Sequence, residues 1–161
     1  SSAASDVYKR QPGIFWWPGK LKPSIISDIG STLDLFTTAS SLADVEIPAD
    51  RIIDGVDLSS VLFEKERSER NNLIYYRGQT IYAARKGAYK VHYITQTSYV
   101  KDSKKIYHDQ PLLFNLEVDP SEKHNIAKEH PEIIQEINEM VEIHKSGIIS
   151  VKDQLAEKIS K

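Results

Sequence analysis

The spacing of apolar residues in the first part of the chain predicts a strand followed by a helix. Residues 14–17, Ile-Phe-Trp-Trp, form a continuous apolar run that Pro18-Gly19 closes. Such a run is typical of a strand covered on both faces in a parallel or mixed sheet. From residue 25 onward apolar side chains recur every three or four positions, which predicts a helix that Ser27 or Asp28 caps and that carries Asp34 on its polar side. The predicted apolar stripe consists of Ile25, Ile29, Leu33, Phe36, Ala39 and Leu42.

A turn and a charged segment close this first part. Asp54-Gly55 predicts a tight turn in which glycine adopts positive backbone angles, and a brief helix is expected from about Asp57. Residues 64–72, EKERSERNN, are charged and lack apolar side chains, which makes them the best candidate for a boundary. We therefore expect one unit at residues 12–65 and another at residues 66–161.

The second part has the pattern of a sheet followed by a helix. Aromatic and β-branched residues predict four strands, at residues 73–76, 80–84, 89–94 and 112–116. Gly78 and Gly87 separate the first three at hairpin distance, and residues 95–110 form a polar insert before the fourth. Pro131 opens a helix whose apolar side is rich in isoleucine and which Gly147 can end. Residues 150–161 predict a short amphipathic tail helix. The second part is thus an α+β unit with a four-stranded antiparallel sheet and a helix.

Composition narrows the class of protein without identifying its chemistry. The 161 residues include 40% hydrophobic and 27% charged residues, which is typical of a globular chain. A net charge of −2 gives no reason to expect a nucleic-acid partner, and no apolar run approaches the roughly 20 residues of a membrane-spanning helix. Because there is no cysteine, disulfides, zinc ribbons and a thiol nucleophile are excluded from this chain. The oligomeric state is left open.

A search for catalytic or metal-binding patterns leaves one candidate, His92. The sequence contains no HExxH, phosphate-binding loop or GxSxG elbow. His92 shares a strand face with Lys90 and Ile94 by alternation, and this face is either a binding surface or ordinary solvent surface. Asp54 and Asp57 are explained by the turn and a helix cap rather than by a metal. The remaining histidines are expected in polar turns, in the insert or at the helix end: His108, His124, His130 and His144.

The first eleven residues resemble the translation of a sequencing adapter. Residues 1–11, SSAASDVYKRQ, match the in-frame reading of a transposase adapter codon for codon, and they resemble neither an initiator nor a secretory signal. A native disordered N-terminus is the alternative. On the adapter interpretation, residues 1–11 are disordered and the gene is expected to continue upstream of Pro12.

Four segments, in order, resemble the C-terminal portion of the formylglycine-dependent sulfatases, the arylsulfatase family. PGIFWWPGKLKP at residues 12–23 is similar to P-x-I-x-x-W-P-G-K-I, and residues 27–62 are similar to the family's helix followed by P-x-D-R-x-I-D-G-x-D-L. IYAARKGAYKVHYITQTSY at residues 81–99 is similar to A-V-R-x-G-K-Y-K-x-H-F. PLLFNLEVDPSEKHNIA at residues 111–127 is similar to P-x-L-Y-D-L-x-x-D-P-x-E-x-x-N-L. The chain departs from these patterns at Thr37-Thr38, Ala88 and Phe114-Asn115.

The resemblance implies a fold and a chemistry. The fold is α/β and alkaline-phosphatase-like: residues 12–65 are the end of the large mixed-sheet catalytic domain, and residues 66–161 are the small C-terminal subdomain. In the family, the formylglycine nucleophile, the calcium ligands and the sulfate-binding cations precede this portion. No catalytic or metal residue is therefore assigned here, calcium is expected only in the full-length parent, and the fragment itself is expected to be inactive. The K-x-H-F strand approaches the active-site cleft, so the resemblance implies that His92 binds substrate.

Three functions follow as hypotheses. The first is the C-terminal part of a sulfatase that hydrolyses sulfate esters of a small molecule or polysaccharide, and the resemblance implies a periplasmic or secreted enzyme. The second is a phosphonate or phosphodiester hydrolase of the same superfamily. The third is a non-catalytic module that binds glycans on a tyrosine-rich sheet. The tyrosines of that sheet are Tyr75, Tyr76, Tyr82, Tyr89 and Tyr93.

Overall fold

A computed structural model describes residues 12–64, 66–97 and 103–149, with three helices and four strands in those ranges. The predicted adapter segment and the predicted tail helix lie outside the described residues. In chain order the elements are α1 (Asp34–Leu42), α2 (Ser59–Glu64), β1 (Asn72–Arg77), β2 (Thr80–Lys86), β3 (Tyr89–Gln96), β4 (Lys105–Asn115) and α3 (Pro131–Ser146).

The four strands form one antiparallel sheet in the order β1-β2-β3-β4, and this confirms the predicted sheet. The turns at Gly78 and Gly87 have φ angles of 61° and 55°, which only glycine adopts without strain. The prediction for residues 95–110 was wrong in part. β4 begins at Lys105 and pairs with the end of β3, where Ile94 faces Tyr107, because backbone pairing extends this hairpin past its apolar half.

Helix α3 covers one face of the sheet, and the core lies between them. The core contains Ala84 of β2, Val91 of β3 and Leu113 of β4. They pack with Ile137 and Val141 of the helix, and all five are buried. Pro131 occupies the first turn of α3 and Gly147 follows its last residue, as predicted. A hydrogen bond from Tyr93 Oη to Asn138 Oδ1, 2.8 Å long, joins β3 to the helix. The sheet face opposite α3 carries Lys90 and His92.

The prediction of a buried strand at residues 14–17 was wrong. These residues belong to no strand, and Ile14 and Trp16 are 89% and 83% exposed. A strand needs a hydrogen-bonded neighbour, and no strand of the described part of the chain lies beside this segment. Trp17 makes an edge contact with Phe63 of α2, with ring centroids 6.1 Å apart.

Helix α1 is shorter than predicted and packs through its polar side. It begins at Asp34, and Asp28 caps no helix but accepts a hydrogen bond from the Ser68 amide at 3.1 Å. Asp34 lies on the polar side as predicted, but this side does not face solvent, and the Asp34 side chain is buried. Thr38 is buried as well, and its Oγ1 accepts from the Leu58 amide at 3.0 Å. The apolar stripe, by contrast, leaves Phe36 half exposed.

Asp34 is buried because Arg70 and two amides surround its carboxylate. Arg70 Nε donates to Asp34 Oδ2 at 2.9 Å, and the amides of Ser31 and Val56 donate to the same carboxylate at 2.8 and 2.9 Å. Burial alone would raise the pKa of Asp34, but the hydrogen bonds from Arg70, Val56 and Ser31 outweigh burial and hold it below its ordinary value. Arg70 lies inside the charged segment predicted as a boundary, so a buried ion pair ties this segment to the first residue of α1.

Gly55 is required for space rather than for a positive φ angle, which corrects the turn prediction. The φ angle of Gly55 is not positive, unlike those of Gly78 and Gly87. A Cβ at this position would collide with the carbonyl oxygen of Leu33 and would lie 2.5 Å from Thr37 Oγ1. Asp57, as expected, caps α2: its Oδ1 accepts from the Ser59 amide at 2.8 Å. The Asp54-Gly55 segment thus passes directly against the first turn of α1.

Gly55→Ala is expected to destabilise the folded chain by about 1–3 kcal/mol, because the added methyl overpacks the contact with α1. The matched control is Gly30→Ala, where a Cβ would meet only Leu58 Cδ1 at 3.7 Å. Urea denaturation of both variants measures the difference in the free energy of unfolding. Equal stability of the two variants would contradict the steric argument.

Candidate functional site

The candidate site lies on the sheet face opposite α3, at the centre of β3. The strand pairing places His92 between Ala83 of β2 and Leu112 of β4. Tyr89, Val91 and Tyr93 pack on the α3 side, so the predicted alternation is correct and Lys90 and His92 share the other face. Strand β3 has neighbours on both sides and therefore holds these two side chains on a rigid element.

Glu122 joins these two side chains. Its Oε1 accepts a hydrogen bond from Lys90 Nζ at 2.6 Å, and its Oε2 lies 2.8 Å from His92 Nε2. The side chains are little exposed: 6% for Lys90, 15% for His92 and 8% for Glu122. The cluster of Lys90, His92 and Glu122 is therefore an almost completely covered ion network, and we call it the β3 charge cluster.

The electrostatics of the β3 charge cluster favour an ionised Glu122. Burial alone would raise the pKa of this carboxyl group, but the hydrogen bond from His92 and the charge and hydrogen bond of Lys90 lower it more, to about 2.

Two aromatic rings contact the basic side chains of the β3 charge cluster. Lys90 Nζ lies 5.0 Å from the centre of the Tyr75 ring, and the edge contact of His92 with Phe114 has a centroid separation of 5.7 Å.

The turn that carries Glu122 is fixed by two side-chain caps. Asp119 Oδ2 accepts from the amides of Lys123 and His124 at 2.8 and 2.7 Å. Asn125 Oδ1 accepts from the amides of Leu113 and Ala127, both at 3.0 Å, which ties the turn to β4. Asp119 and Asn125 belong to the segment DPSEKHN, so the turn explains two polar positions of that segment.

The sequence interpretation missed Glu122. Glu122 matches the glutamate of the D-P-x-E-x-x-N pattern, and this match was the one sequence signal for it. Nothing in the spacing connects it to His92 of β3, which lies 30 residues earlier. The other histidines are not drawn into the β3 charge cluster. His124 is exposed, and the remaining three bond to Thr95, Glu132 and Tyr76. These three are His108, His130 and His144.

The tyrosines do not form one binding surface. Tyr89 and Tyr93 pack towards α3, while Tyr75 lies beneath Lys90 on the opposite face. Tyr82 is buried and donates from its hydroxyl to Gln96 Oε1 at 3.0 Å. Only Tyr76 of the five is exposed. A platform for sugar stacking is therefore not assembled from them.

The described residues contain no cluster of metal-binding side chains. Within residues 12–64, 66–97 and 103–149, no group of three histidine, aspartate or glutamate side chains has a geometry that could hold a metal. We therefore assign no calcium ligand to them. In the same part of the chain, no helix is long and apolar enough to cross a bilayer.

Comparison with known proteins agrees with the sequence and the fold. The family described as the C-terminal region of aryl-sulfatase matches residues 68–160. N-acetylgalactosamine-6-sulfatase of Sus scrofa is 34% identical over 91% of this chain and 32% of its own length. Arylsulfatase A of Bos taurus is 33% identical over 79% of this chain and 28% of its own. The chain thus spans about a third of the length of the curated relatives that it matches.

Solved structures give the same result. A protein from Bacteroides thetaiotaomicron, described with the metabolism of multiple glycosaminoglycans, has a TM-score of 0.67 at 28% identity and covers 81% of this chain and 28% of its own. A sulfatase from Pseudoalteromonas sp. has a TM-score of 0.63 at 23% identity, covering 70% of this chain and 25% of its own, and supports the fold alone. The chain belongs to the aryl-sulfatase family and corresponds to its C-terminal region.

Proposed function

We propose that this chain is the C-terminal part of an enzyme that hydrolyses sulfate esters of sugars. The observation that carries this proposal is the 34% identity, over 91% of the chain, to a protein named for the 6-sulfate of N-acetylgalactosamine. The solved relative described with glycosaminoglycans supports the same substrate class. The resemblance adds a formylglycine nucleophile and calcium to the proposal, and we assign neither of them to a residue of this chain.

A hydrogen-bonding side chain beside the substrate would assist an enzyme that acts on a sulfated sugar. Negative charge develops on the sulfate and on the leaving oxygen during hydrolysis, and preorganised donors stabilise such charge in the transition state. We propose that His92 lines the substrate cleft with the part of its ring that Glu122 and Phe114 leave exposed. Its support is the placement of the ring at the centre of a rigid strand beside Lys90.

His92→Ala in the full-length enzyme is expected to lower kcat/KM for a sulfated sugar by about 10- to 100-fold. A hydrogen bond to a charged group is worth about 1.5–3 kcal/mol, and each 1.4 kcal/mol is a factor of ten. The matched control is His124→Ala, which removes an exposed imidazole from the neighbouring turn. The measurement is the steady-state kinetics of both variants. Equal kcat/KM values for His92→Ala and His124→Ala would contradict a role of His92 in substrate binding.

The reaction class has a direct test. The full-length enzyme is expected to release inorganic sulfate from 6-sulfated N-acetylgalactosamine. A phosphodiester with an aryl leaving group serves as the comparison substrate. Turnover of the phosphodiester without any release of sulfate would overturn the proposal. It would favour the second hypothesis, a phosphonate or phosphodiester hydrolase of the same superfamily.

A further inference from the structure

We infer that Glu122 is a positioning residue that fixes His92 and Lys90 on the sheet face opposite α3. The inference rests on the proposed function where it concerns catalysis. Its structural content is independent of that function: one carboxylate, carried by the DPSEKHN turn, sets the orientation of two basic side chains on β3. Two sequence segments about 30 residues apart therefore act as one unit.

Each carboxylate oxygen of Glu122 contacts one of the two basic side chains. Oε1 binds Lys90 Nζ and Oε2 binds His92 Nε2, at 2.6 and 2.8 Å. Because Glu122 binds Nε2, this contact leaves the other ring nitrogen, Nδ1, unused. A rotation of Glu122 would break at least one of the two contacts. The carboxylate thus orients the imidazole and holds Lys90 Nζ at the same carboxyl group.

The backbone at Glu122 supports a role for its side chain. The φ angle of this residue is 53°, a left-handed conformation that is unfavourable for residues other than glycine, asparagine and aspartate. Glycine would satisfy the turn without that cost. A glutamate here is understandable if its carboxylate is needed, since the left-handed backbone directs it to Lys90 and His92.

The surroundings make this network different from a surface ion pair. The three side chains are between 6% and 15% exposed, so solvent competes little for their hydrogen bonds. Asp119 and Asn125 hold the turn on either side of Glu122, and Asn125 binds the backbone of β4 directly. The carboxylate is therefore presented by a rigid turn to a rigid strand, as a positioning role requires.

Three variants of the full-length enzyme separate the side chain from the backbone. Glu122→Gln keeps the shape and removes the charge, whereas Glu122→Gly also relieves the left-handed backbone. Glu117→Gln is the matched control, because Glu117 is exposed and precedes the same turn. Both Glu122 variants are expected to lower kcat/KM by on the order of 10- to 100-fold. Full activity of Glu122→Gly would overturn the inference, because the turn alone would then suffice.

A double-mutant cycle tests whether Glu122 acts through His92. If it does, adding Glu122→Gln to His92→Ala lowers kcat/KM less than adding it to the wild type, because the group it positions is already gone. Additive effects of the two substitutions would overturn the inference.

The ring nitrogen of His92 provides a readout that does not depend on activity. In protein labelled with ¹⁵N at histidine, Glu122→Gln is expected to shift the Nε2 resonance of His92, with His92→Ala used for assignment and circular dichroism to verify folding. Unchanged resonances would overturn the positioning of His92. A shifted resonance together with normal kinetics of His92→Ala would support the positioning and overturn only the proposed cleft role.

Discussion

Asp34→Asn is expected to destabilise the folded chain by about 3–5 kcal/mol, because it leaves the Arg70 guanidinium buried without a countercharge. The side chains of Asp34 and Arg70 are 0% and 6% exposed. Asp34 also accepts from the amides of Ser31 and Val56, so the substitution weakens the segment before α1 and the loop at residue 56 together. Urea denaturation measures the loss as a lower midpoint, with the slope checked for two-state behaviour.

Two further variants test the cause of that loss. Asp50→Asn removes a carboxylate from an exposed pair with Arg51, in which both side chains are 65% exposed, and it is expected to leave the midpoint unchanged. Asp34→Asn combined with Arg70→Met is expected to be more stable than Asp34→Asn alone, since neither charge is then left unpaired. If the double variant is no more stable, the unpaired charge of Arg70 is not the main cause of the loss.

The C-terminal sheet and helix could be predicted because local signals agree with the tertiary structure there. Gly78 and Gly87 stand where the turns need positive φ angles, and Pro131 stands in the first turn of α3. The side chains that face α3 along β3 follow strict alternation. Where each local preference matches the final fold, periodicity is a sufficient guide.

Asp34 and Glu122 could not be placed by the same reasoning. Periodicity assigns a charged residue to solvent by default, and both carboxylates are buried by partners far away in the sequence. Arg70 lies 36 residues after Asp34, and Lys90 lies 32 residues before Glu122. The same limitation explains residues 14–17, where an apolar run predicts burial but only a neighbouring strand can make it part of a sheet.

Acidification is expected to remove about 3–4 kcal/mol of stability through Glu122 alone. Its pKa falls from 4.5 to about 2 in the folded protein, and each unit corresponds to about 1.4 kcal/mol. Because the folded pKa is the lower one, the stabilisation is complete above about pH 4.5 and is lost as the pH falls towards 2. The measurement is the free energy of unfolding of the wild type and of Glu122→Gln across this range.

The difference between the two proteins isolates Glu122 from other acidic groups, including Asp34, whose pKa is also lowered. The difference present at about pH 5 should shrink towards zero as the pH falls to 2, because a protonated Glu122 resembles the glutamine. Glu132→Gln is the matched control: Glu132 also pairs with a histidine, His130, and its pKa is also lowered, but its side chain is 67% exposed. Its removal should therefore change the acid dependence of the wild type much less than the removal of Glu122 does. A difference that stays constant down to pH 2 would show that Glu122 stabilises the fold by shape, and that the charges of Lys90 and His92 contribute nothing to its stabilising effect.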